Sequence, residues 1–533
     1  MAHCRKRIFR TFTGIWRFIP FSPVVPARLW AARSIPTRWH RNRPPPPSGA
    51  KANSAMHIVF GVAEYYPLVK MGGLADFAGS FTEKLAKRGH IVSVVLPGYS
   101  AIDRTNFPVE ATGIQFSIPI GSKTVSGSVS KIQISENLAV YLIENEHYFN
   151  REHLFGTGDE GYGDNAERFL FFSRAILELA DRLGQVDVFH MNDWHTAIAL
   201  FYLKEYHRKL GKFTGAKSVL TIHNLGYQGL FWHHDMHLLN MGWEYFTPDG
   251  IEFYNHISYL KSGMVYADET TTVSPSYARE IQTPEFGFGL DGVLRSRAGH
   301  VTGILNGVDY KLWNPWFDPH IDCRYSAKRF EGKAANKLAL QREMQLAEVA
   351  DIPLVTIITR LTEQKGIDLI LPVFDMMMEL EIQFVLLGTG KNEFEDFFRG
   401  AEHRYKGQVV SYLDYSEKIA HRIQAAGDIY LMPSRYEPCG LSQLYAMKYG
   451  NVPLVRLVGG LRDTVIPVEN GLESANGFGF EYYSPYMLYE TLKKAVELYR
   501  ENQEAFRTIA QNGMKLKFSW SETVKRYLEI YKK

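Results

Sequence analysis

Short, mostly apolar runs alternate with amphipathic stretches along the chain. Residues 58–63 and 91–96 have the composition of buried strands, and residues 74–88 between them carry the three- and four-residue apolar spacing of a helix. Strand, helix and strand at this separation predict a βαβ unit. Further strands are predicted at residues 186–191, 218–222, 268–276, 354–359, 384–387, 429–432 and 454–458. The pattern therefore predicts an α/β fold with two βαβ series.

Two regions depart from this rhythm. Residues 109–143 alternate loosely and are rich in Ser, Ile and Val, which predicts an antiparallel excursion. The last stretch, residues 513–533, has helical spacing, and we expect this helix to pack back on the first domain. We predict a first domain over residues 56–303 and a second over residues 304–512, with the boundary near residue 303.

Composition and charge exclude several classes of protein. A chain of 533 residues with 45% hydrophobic content can bury two or three cores, and no window approaches the 18 consecutive apolar residues of a membrane span. The formal charge of +3 is unevenly distributed along the chain. Residues 1–55 contain nine Arg, two Lys and no acidic residue, which leaves 49 basic and 57 acidic residues in the remainder. A body with a net charge of −8 argues against general nucleic-acid binding.

The basic segment over residues 1–55 has two explanations. It is rich in Arg and Pro and cannot bury enough apolar surface to fold alone, as is typical of a mitochondrial or plastid transit peptide. Alternatively, it is upstream sequence joined to a true start at Met56, directly before the first strand. The location would be a plastid in the first case and the cytoplasm of a bacterium in the second.

Three cysteines, Cys4, Cys323 and Cys439, are too few and too scattered for a disulfide framework or a cysteine-based zinc site. A reducing compartment suits this usage. We interpret Cys439 as a packing residue beside a binding loop rather than a nucleophile, because no His is close to it in sequence.

A glycine pair follows the first predicted strand. Gly72 and Gly73 stand just before a helix, where their N–H groups can form a nest for an anion, and Lys70 adds a positive charge. Paired glycines are a weak indication alone, but their place in a βαβ unit strengthens it. We therefore predict that this turn contacts a phosphate.

Polar residues also follow two later strands of the first half. The strand at 186–191 leads into Asp193 and His195, and the strand at 218–222 leads into His223. The carboxyl ends of parallel strands share one crevice, where α/β folds bind ligands. A single such histidine is most often structural, but the convergence of several polar strand ends favours a functional site.

The second half repeats this arrangement with more charge. Arg360 ends one strand and Lys365 precedes the next helix, so that the two cations can hold a diphosphate from both sides. Residues 434–443 (SRYEPCGLSQ) follow the strand at 429–432 and place Glu437 beside the start of another helix. We predict that Glu437 binds sugar hydroxyls next to a phosphate. The alternative is a solvated surface loop.

Together, these motifs closely resemble those of the starch and glycogen synthases, which are retaining glucosyltransferases of the two-domain GT-B architecture. The series is KMGGLAD from Lys70, HMNDWH from His190, HNLGYQG from His223, LNGVD from Leu305, RLTEQKG from Arg360, SRYEPCGLSQ from Ser434 and GGLRDTV from Gly459. The resemblance covers residues 56–533 and implies two Rossmann-like domains that face each other across a deep cleft. It also implies glucose transfer from a nucleotide sugar, ADP-glucose in bacteria and plastids, to the non-reducing end of an α-1,4-glucan such as glycogen or starch.

The resemblance carries over to individual positions. The implied catalytic residues are His223 at the reacting carbon, Arg360 and Lys365 at the leaving diphosphate, Glu437 on the sugar hydroxyls and Asp193 on the acceptor side. The implied substrate-binding residues are Lys70, Gly72, Gly73, Asp76, Asn306, Tyr415, which could stack on adenine, Cys439, Gly440, Leu441 and Ser442. No cofactor and no metal is implied. Ser442 stands where the family usually has Thr, and Asp414 stands where it more often has Gly before Tyr415.

Three rival functions remain open from the sequence. The same transferase could use UDP-glucose, because no motif reads the base directly. A glucan phosphorylase shares the architecture but needs a lysine bound to pyridoxal phosphate. A non-catalytic glucan-binding scaffold is the third, although the retained cations and Glu437 speak against it. The expected partners are ADP-glucose and an α-1,4-glucan, without nucleic acid or membrane. No oligomeric state is predicted.

Overall fold

The computed structural model describes residues 55–157 and 160–533. The predicted basic segment over residues 1–55 therefore lies outside the described residues, except for Ala55. Across the described part of the chain, no helix is both long and apolar enough to cross a bilayer.

The first half contains fourteen strands and seven α-helices among the described residues. The strands are β1 (His57–Gly61), β2 (Ile91–Pro97), β3 (Glu110–Ile120), β4 (Lys123–Ser135), β5 (Leu138–Glu144), β6 (Gly156–Thr157), β7 (Glu160–Gly161), β8 (Val188–Asn192), β9 (Lys217–Ile222), β10 (Leu230–Trp232), β11 (Glu252–Phe253), β12 (His256–Ser258), β13 (Glu269–Thr272) and β14 (Val301–Gly303). The helices are α1 (Gly73–Lys87), α2 (Glu146–Phe149), α3 (Asn165–Leu183), α4 (Trp194–Tyr202), α5 (Tyr259–Tyr266), α6 (Pro275–Glu280) and α7 (Asp291–Ser296).

Nine of these strands form one sheet in the order β14-β13-β9-β8-β1-β2-β5-β4-β3. Every pairing from β14 to β5 is parallel, whereas β5, β4 and β3 are antiparallel neighbours, which confirms the predicted excursion. The parallel strands read as apolar runs because helices cover both of their faces. β3 alternates exposed and buried positions because one of its faces is open to solvent.

The predicted strand over residues 268–276 is too long. β13 ends at Thr272, and the next residues turn into α6. The Ser274 hydroxyl accepts the Tyr277 N–H at 3.2 Å and Pro275 opens the helix, an arrangement favoured at helix starts. The Ser-Pro pair therefore begins a helix rather than ending a strand.

The second half is a smaller α/β unit. Its strands are β15 (Leu354–Ile358), β16 (Gln383–Leu387), β17 (Val409–Tyr412), β18 (Ile429–Met432), β19 (Val452–Arg456) and β20 (Phe478–Phe480), and they pair in parallel in the order β17-β16-β15-β18-β19-β20. Its helices are α8 (Gly332–Glu343), α9 (Ile367–Ile370), α10 (Phe374–Glu379), α11 (Asn392–Arg404), α12 (Glu417–Ala426), α13 (Ser442–Lys448), α14 (Gly459–Thr464), α15 (Pro485–Glu501) and α16 (Gln503–Lys515).

The last helix, α17 (Trp520–Lys532), packs on the first sheet. Its tyrosine Tyr531 forms a hydrogen bond of 2.6 Å with the Nδ1 of His190 in β8, and the Nε2 of the same imidazole lies 2.6 Å from the Thr221 hydroxyl in β9. Trp520 and Tyr527 are buried in the same core. The chain therefore returns to its first half to complete that core. The residue limits assigned above to the domains stay a prediction.

Candidate active site

The glycine pair lies at the carboxyl end of β1 but is already engaged there. The N–H groups of Met71 and Gly72 both donate to one carboxylate oxygen of Glu64, at 2.6 Å and 2.8 Å. Gly73 is the first residue of α1. The N–H of Gly72 is therefore not free for an external anion in this structure, which differs from the expectation for that residue.

Glu64 is a residue that the sequence did not single out. It is buried, and burial raises its pKa although the two N–H donors from Met71 and Gly72 lower it. Its only signal in the sequence is an acidic residue placed directly after a buried strand and before the glycine pair. Its contacts fix the shape of the turn that carries Lys70.

Lys70 pairs with Asp76 from the first turn of α1 at 2.8 Å. Burial lowers the pKa of Lys70, but the negative charge and hydrogen bond of Asp76, together with the nearby Tyr415 and Glu417, more than offset this and raise the pKa above its ordinary value. Burial likewise raises the pKa of Asp76, against the effect of the lysine. Two predicted substrate-binding residues thus form one ion pair at this edge.

Asp193 and His223 meet where β8 and β9 end. Asp193 precedes α4 with a left-handed backbone φ of 54°, and its carboxylate accepts the backbone N–H of His223 at 2.7 Å. Burial raises the pKa of Asp193 to about 7, while the N–H groups of His223 and Asn224 oppose the shift. The strand ends therefore hold a buried carboxyl group that titrates near neutrality.

The His223 imidazole is partly buried and uncharged. Burial lowers its pKa to about 3. Its Nε2 lies 3.0 Å from the Asn192 amide oxygen, and the amide nitrogen of Asn192 donates to the Gly61 carbonyl at 3.0 Å. Because that contact assigns the Asn192 oxygen as the acceptor, Nε2 of His223 carries the hydrogen and Nδ1 keeps its lone pair.

His195 has a different environment from its two polar neighbours. Its ring stacks on Trp194 with centroids 3.9 Å apart and contacts Phe155 and Phe169. Burial lowers the pKa of His195 to about 3. The structure therefore places His195 in an aromatic cluster rather than beside Asp193 and His223.

The second sheet supplies the opposite edge of the site. Lys365 forms an ion pair of 2.6 Å with Glu437, and the Ser434 hydroxyl donates to the same carboxylate oxygen at 3.1 Å. The side chains of Lys365 and Glu437 are only 16% and 7% exposed. Arg360 follows β15 and is half-buried, and its guanidinium group forms no ion pair with any described carboxylate. Two adjacent strands, β15 and β18, are thus followed by a cation without a carboxylate partner among the described residues and by a shielded ion pair.

The loop after Glu437 turns into α13. Gly440 has a φ of +71°, which favours glycine, Leu441 caps the helix and Ser442 is its first residue. Burial raises the pKa of the Cys439 thiol to about 12, and the Asn306 backbone N–H contacts its sulfur. Cys439 is therefore a packing residue, and Asn306, which is itself buried, comes from the connector to hold this loop.

The two edges face each other. A Cβ placed on Gly73 would lie 3.7 Å from the Cδ1 of Leu441, so that the glycine turn of the first sheet and the loop after Glu437 are in contact range. Tyr415, between β17 and α12, interacts electrostatically with Lys70 and is 54% exposed. The structure thus brings residues from both halves of the chain to one cleft.

No metal site is found there. Among residues 55–157 and 160–533, no group of three or more His, Cys, Asp or Glu side chains could hold a metal ion. In this cleft, Lys70 instead pairs with Asp76 and Lys365 with Glu437.

Several known proteins are similar to this chain in sequence. Residues 57–296 match the family described as the starch synthase catalytic domain, and residues 343–513 match the glycosyl transferases group 1. A glycogen synthase from Anaeromyxobacter sp. (strain Fw109-5) is 43% identical over 481 residues, which cover 90% of this chain and 99% of that protein. A glycogen synthase from Syntrophotalea carbinolica is 40% identical over 479 residues, again with 90% and 99% coverage.

A solved structure agrees with these relatives. The catalytic domain of starch synthase IV from Arabidopsis thaliana, bound to ADP and acarbose, is 32% identical with a TM-score of 0.82, and the match covers 90% of this chain and 99% of that one. The fold class and family predicted from the motifs are confirmed. The chain therefore belongs to the starch and glycogen synthase family, a family of glycosyltransferases with the GT-B fold, and is a hexosyltransferase.

Proposed function

We propose that the protein transfers glucose from ADP-glucose to the non-reducing end of an α-1,4-glucan with retention of configuration. One observation carries the proposal: Arg360, which forms no ion pair with a described carboxylate, and the Lys365–Glu437 ion pair lie after the adjacent strands β15 and β18, and the loop after Glu437 faces the glycine turn of the first sheet. The presence of ADP and acarbose in the Arabidopsis relative supports a nucleotide diphosphate and an oligosaccharide as ligands.

The cations act on the leaving group. Arg360 can donate two parallel hydrogen bonds to a diphosphate, and Lys365 adds a point charge. When the bond between the sugar C1 and the β-phosphate oxygen breaks, negative charge grows on that oxygen, and pre-positioned cations stabilise it more in the transition state than in the ground state. The 4-hydroxyl oxygen of the acceptor forms the new bond to C1, and its proton leaves with ADP.

The sugar and the acceptor contact the remaining groups. The Glu437 carboxylate, which accepts from Lys365 and Ser434, has further lone pairs for sugar hydroxyls. We place His223 at the reacting carbon because its neutral ring can accept a hydrogen bond from a sugar hydroxyl and does not repel positive charge on the sugar. We place Asp193 on the acceptor side, where a carboxyl group with a pKa near 7 can accept a hydrogen bond.

The other predicted residues surround the donor in this proposal. The exposed Tyr415 ring stacks on adenine, and Lys70 with Asp76 and Gly73 contacts the donor from the first sheet. Asn306, Cys439, Gly440, Leu441 and Ser442 line or support the phosphate and glucose positions. Contact between the two edges excludes water, which would otherwise compete with the acceptor. The scheme uses no cofactor and no metal.

The test is glucose transfer to glycogen by the full chain, with ADP-glucose and UDP-glucose compared at equal concentration. We expect a higher kcat/KM for ADP-glucose and loss of at least about a hundredfold in Arg360→Ala and Glu437→Ala, since each removes a group aimed at developing charge or at the sugar.

Each other result identifies a rival function. A higher kcat/KM for UDP-glucose would reject the donor assignment but keep the transferase. Absence of transfer from any nucleotide sugar, with glycogen binding equal in the wild type and both variants, would favour the scaffold.

A further inference from the structure

Residues of the first half of the chain form hydrogen bonds with the loop around Glu437. Ser274, which lies between β13 and α6, donates its hydroxyl to the carbonyl of Pro438 at 2.5 Å. The Ser274 side chain is buried. A residue that follows strand β13 in the first half therefore contacts the backbone immediately after Glu437.

A second contact reaches the same loop through α14. The Glu280 carboxylate at the end of α6 accepts the N–H of Gly459 with both oxygens, at 2.8 Å and 3.0 Å. The N–H of the next residue, Gly460, donates to the carbonyl of Glu437 at 3.0 Å. Glu280 thus bonds to the turn at Gly459 and Gly460, and this turn bonds to the backbone of Glu437.

The glycine at position 459 makes this contact close. Gly459 has a φ of +50°, and a Cβ added there would overlap the Glu437 carbonyl. A left-handed backbone against a carbonyl leaves room only for glycine. The start of α14 therefore packs directly on the backbone of Glu437, and a displacement of α14 would be transmitted to it.

A third contact fixes the orientation of α6 against α14. Asp463 accepts both the N–H and the hydroxyl of Ser276, each at 2.7 Å. Burial raises the pKa of Glu280, while the Gly459 N–H and the positive charges of Arg462 and Arg456 lower it and Asp463 raises it. The hydrogen bonds of Ser274, Ser276 and Glu280 all join the first half of the chain to the second.

We propose that Glu280 is a positioning residue, which sets the place of the Glu437 carboxylate through Gly459 and Gly460. The proposal rests on the proposed function, because it assumes that Glu437 contacts the donor sugar. The position of the Glu437 carboxylate, in the second half of the chain, then depends on how the first half packs against it. Domain adhesion alone would not require that the contacts end on the backbone of Glu437 and Pro438.

The experiment uses the full chain with Glu280→Ala, Glu280→Gln and the control Thr283→Ala. Thr283 belongs to the same segment, is exposed and donates only to the Glu280 carbonyl through its hydroxyl. We expect kcat to fall about tenfold to a hundredfold in Glu280→Ala, the range of a hydrogen bond to a charged group. Glu280→Gln keeps an acceptor oxygen, so it should stay within about threefold of the wild type, as should the control.

A double-mutant cycle with Glu437→Gln separates positioning from general damage. If Glu280 acts through Glu437, Glu280→Ala should cost less than about threefold in the Glu437→Gln background. A full additional loss in that background, or an unchanged kcat in Glu280→Ala alone, would overturn the proposal.

Hydrogen exchange provides a measurement that does not need activity. Amides of residues 434–442 and 459–464 should exchange about tenfold faster in Glu280→Ala than in the wild type or Thr283→Ala, because the Gly459 N–H loses its acceptor and the turn that bonds the Glu437 carbonyl loses its support. Unchanged exchange would reject the positioning role, also if Glu280→Ala were poorly active. Faster exchange in a protein that transfers no glucose would instead keep the positioning role and reject the proposed function.

Discussion

The two walls of the cleft handle charge in opposite ways. On the wall of the first sheet, Glu64 and Asp193 are buried carboxyl groups whose pKa values are raised by burial, and Lys70 is neutralised by Asp76. On the wall of the second sheet, Arg360 forms no ion pair with a described residue and Lys365 shares one carboxylate with Ser434. In the proposed reaction, this difference favours the second wall for binding an anion.

The most severe test of this division removes the cation of the second wall. We expect Lys365→Ala to lower kcat/KM by about a thousandfold. The change removes the cation that stabilises the leaving diphosphate, and it leaves the buried Glu437 without its lysine partner. Initial rates of glucose transfer provide the measurement. The control is Lys494→Ala, whose lysine is 62% exposed and forms only a 3.8 Å surface pair. A loss below tenfold would mean that the second wall does not carry the anion.

The first wall is tested through its titration. Because the folded-state pKa of Asp193 is raised to about 7, the folded protein binds the proton more tightly than the unfolded chain, so that this group lowers stability as pH rises from about 4 to 7. Asp193→Asn lacks this titration. We expect its free energy of unfolding, relative to the wild type, to rise between pH 5 and pH 8 by at most about 3 kcal/mol, which thermal or denaturant unfolding at the two pH values measures.

The matched control for this titration is Asp249→Asn, which changes an exposed carboxylate. It should leave the difference between variant and wild type constant with pH. If Asp193→Asn behaved in the same way, the burial of a proton-binding group in the first wall would be refuted.

A smaller effect is expected for the carboxylate that shapes the glycine turn. Glu64→Ala frees the N–H groups of Met71 and Gly72, and we expect kcat/KM to fall about tenfold, whereas Glu64→Gln keeps an acceptor and should fall less. Glu83→Ala, in an exposed pair on α1, is the control for steady-state kinetics. Equal activity of Glu64→Ala and the wild type would show that the turn needs no such support.

The smallest effect concerns the thiol of the second wall. Burial raises the pKa of Cys439 to about 12, so the thiol stays protonated at pH 8 and should resist iodoacetamide, whereas the more accessible Cys323 should be alkylated first. We expect Cys439→Ala to change kcat by less than about threefold. Mass spectrometry with parallel activity measurements checks both statements, and inactivation that tracks alkylation of Cys439 would contradict them.

The sequence predicts the elements of this cleft better than their contacts. The run at 429–432 coincides with β18 because a strand buried on both faces has a continuous apolar sequence. The partner of Gly72 could not be predicted, because the N–H meets Glu64 only through the path of the turn between them. The contact of Glu280 with Gly459 joins residues 179 positions apart and depends on how the two halves dock. Local pattern thus places the strand ends, and tertiary packing decides what each end binds.

The position of α17 bears on how the protein is made. Tyr527 and Tyr531 cover His190 and complete the core of the first sheet, yet the ribosome adds them after the whole second sheet. During translation, the core of the first half therefore stays incomplete until α17 has been added. A transcript truncated before residue 520 would accordingly yield an unfinished first domain, not a shorter working enzyme.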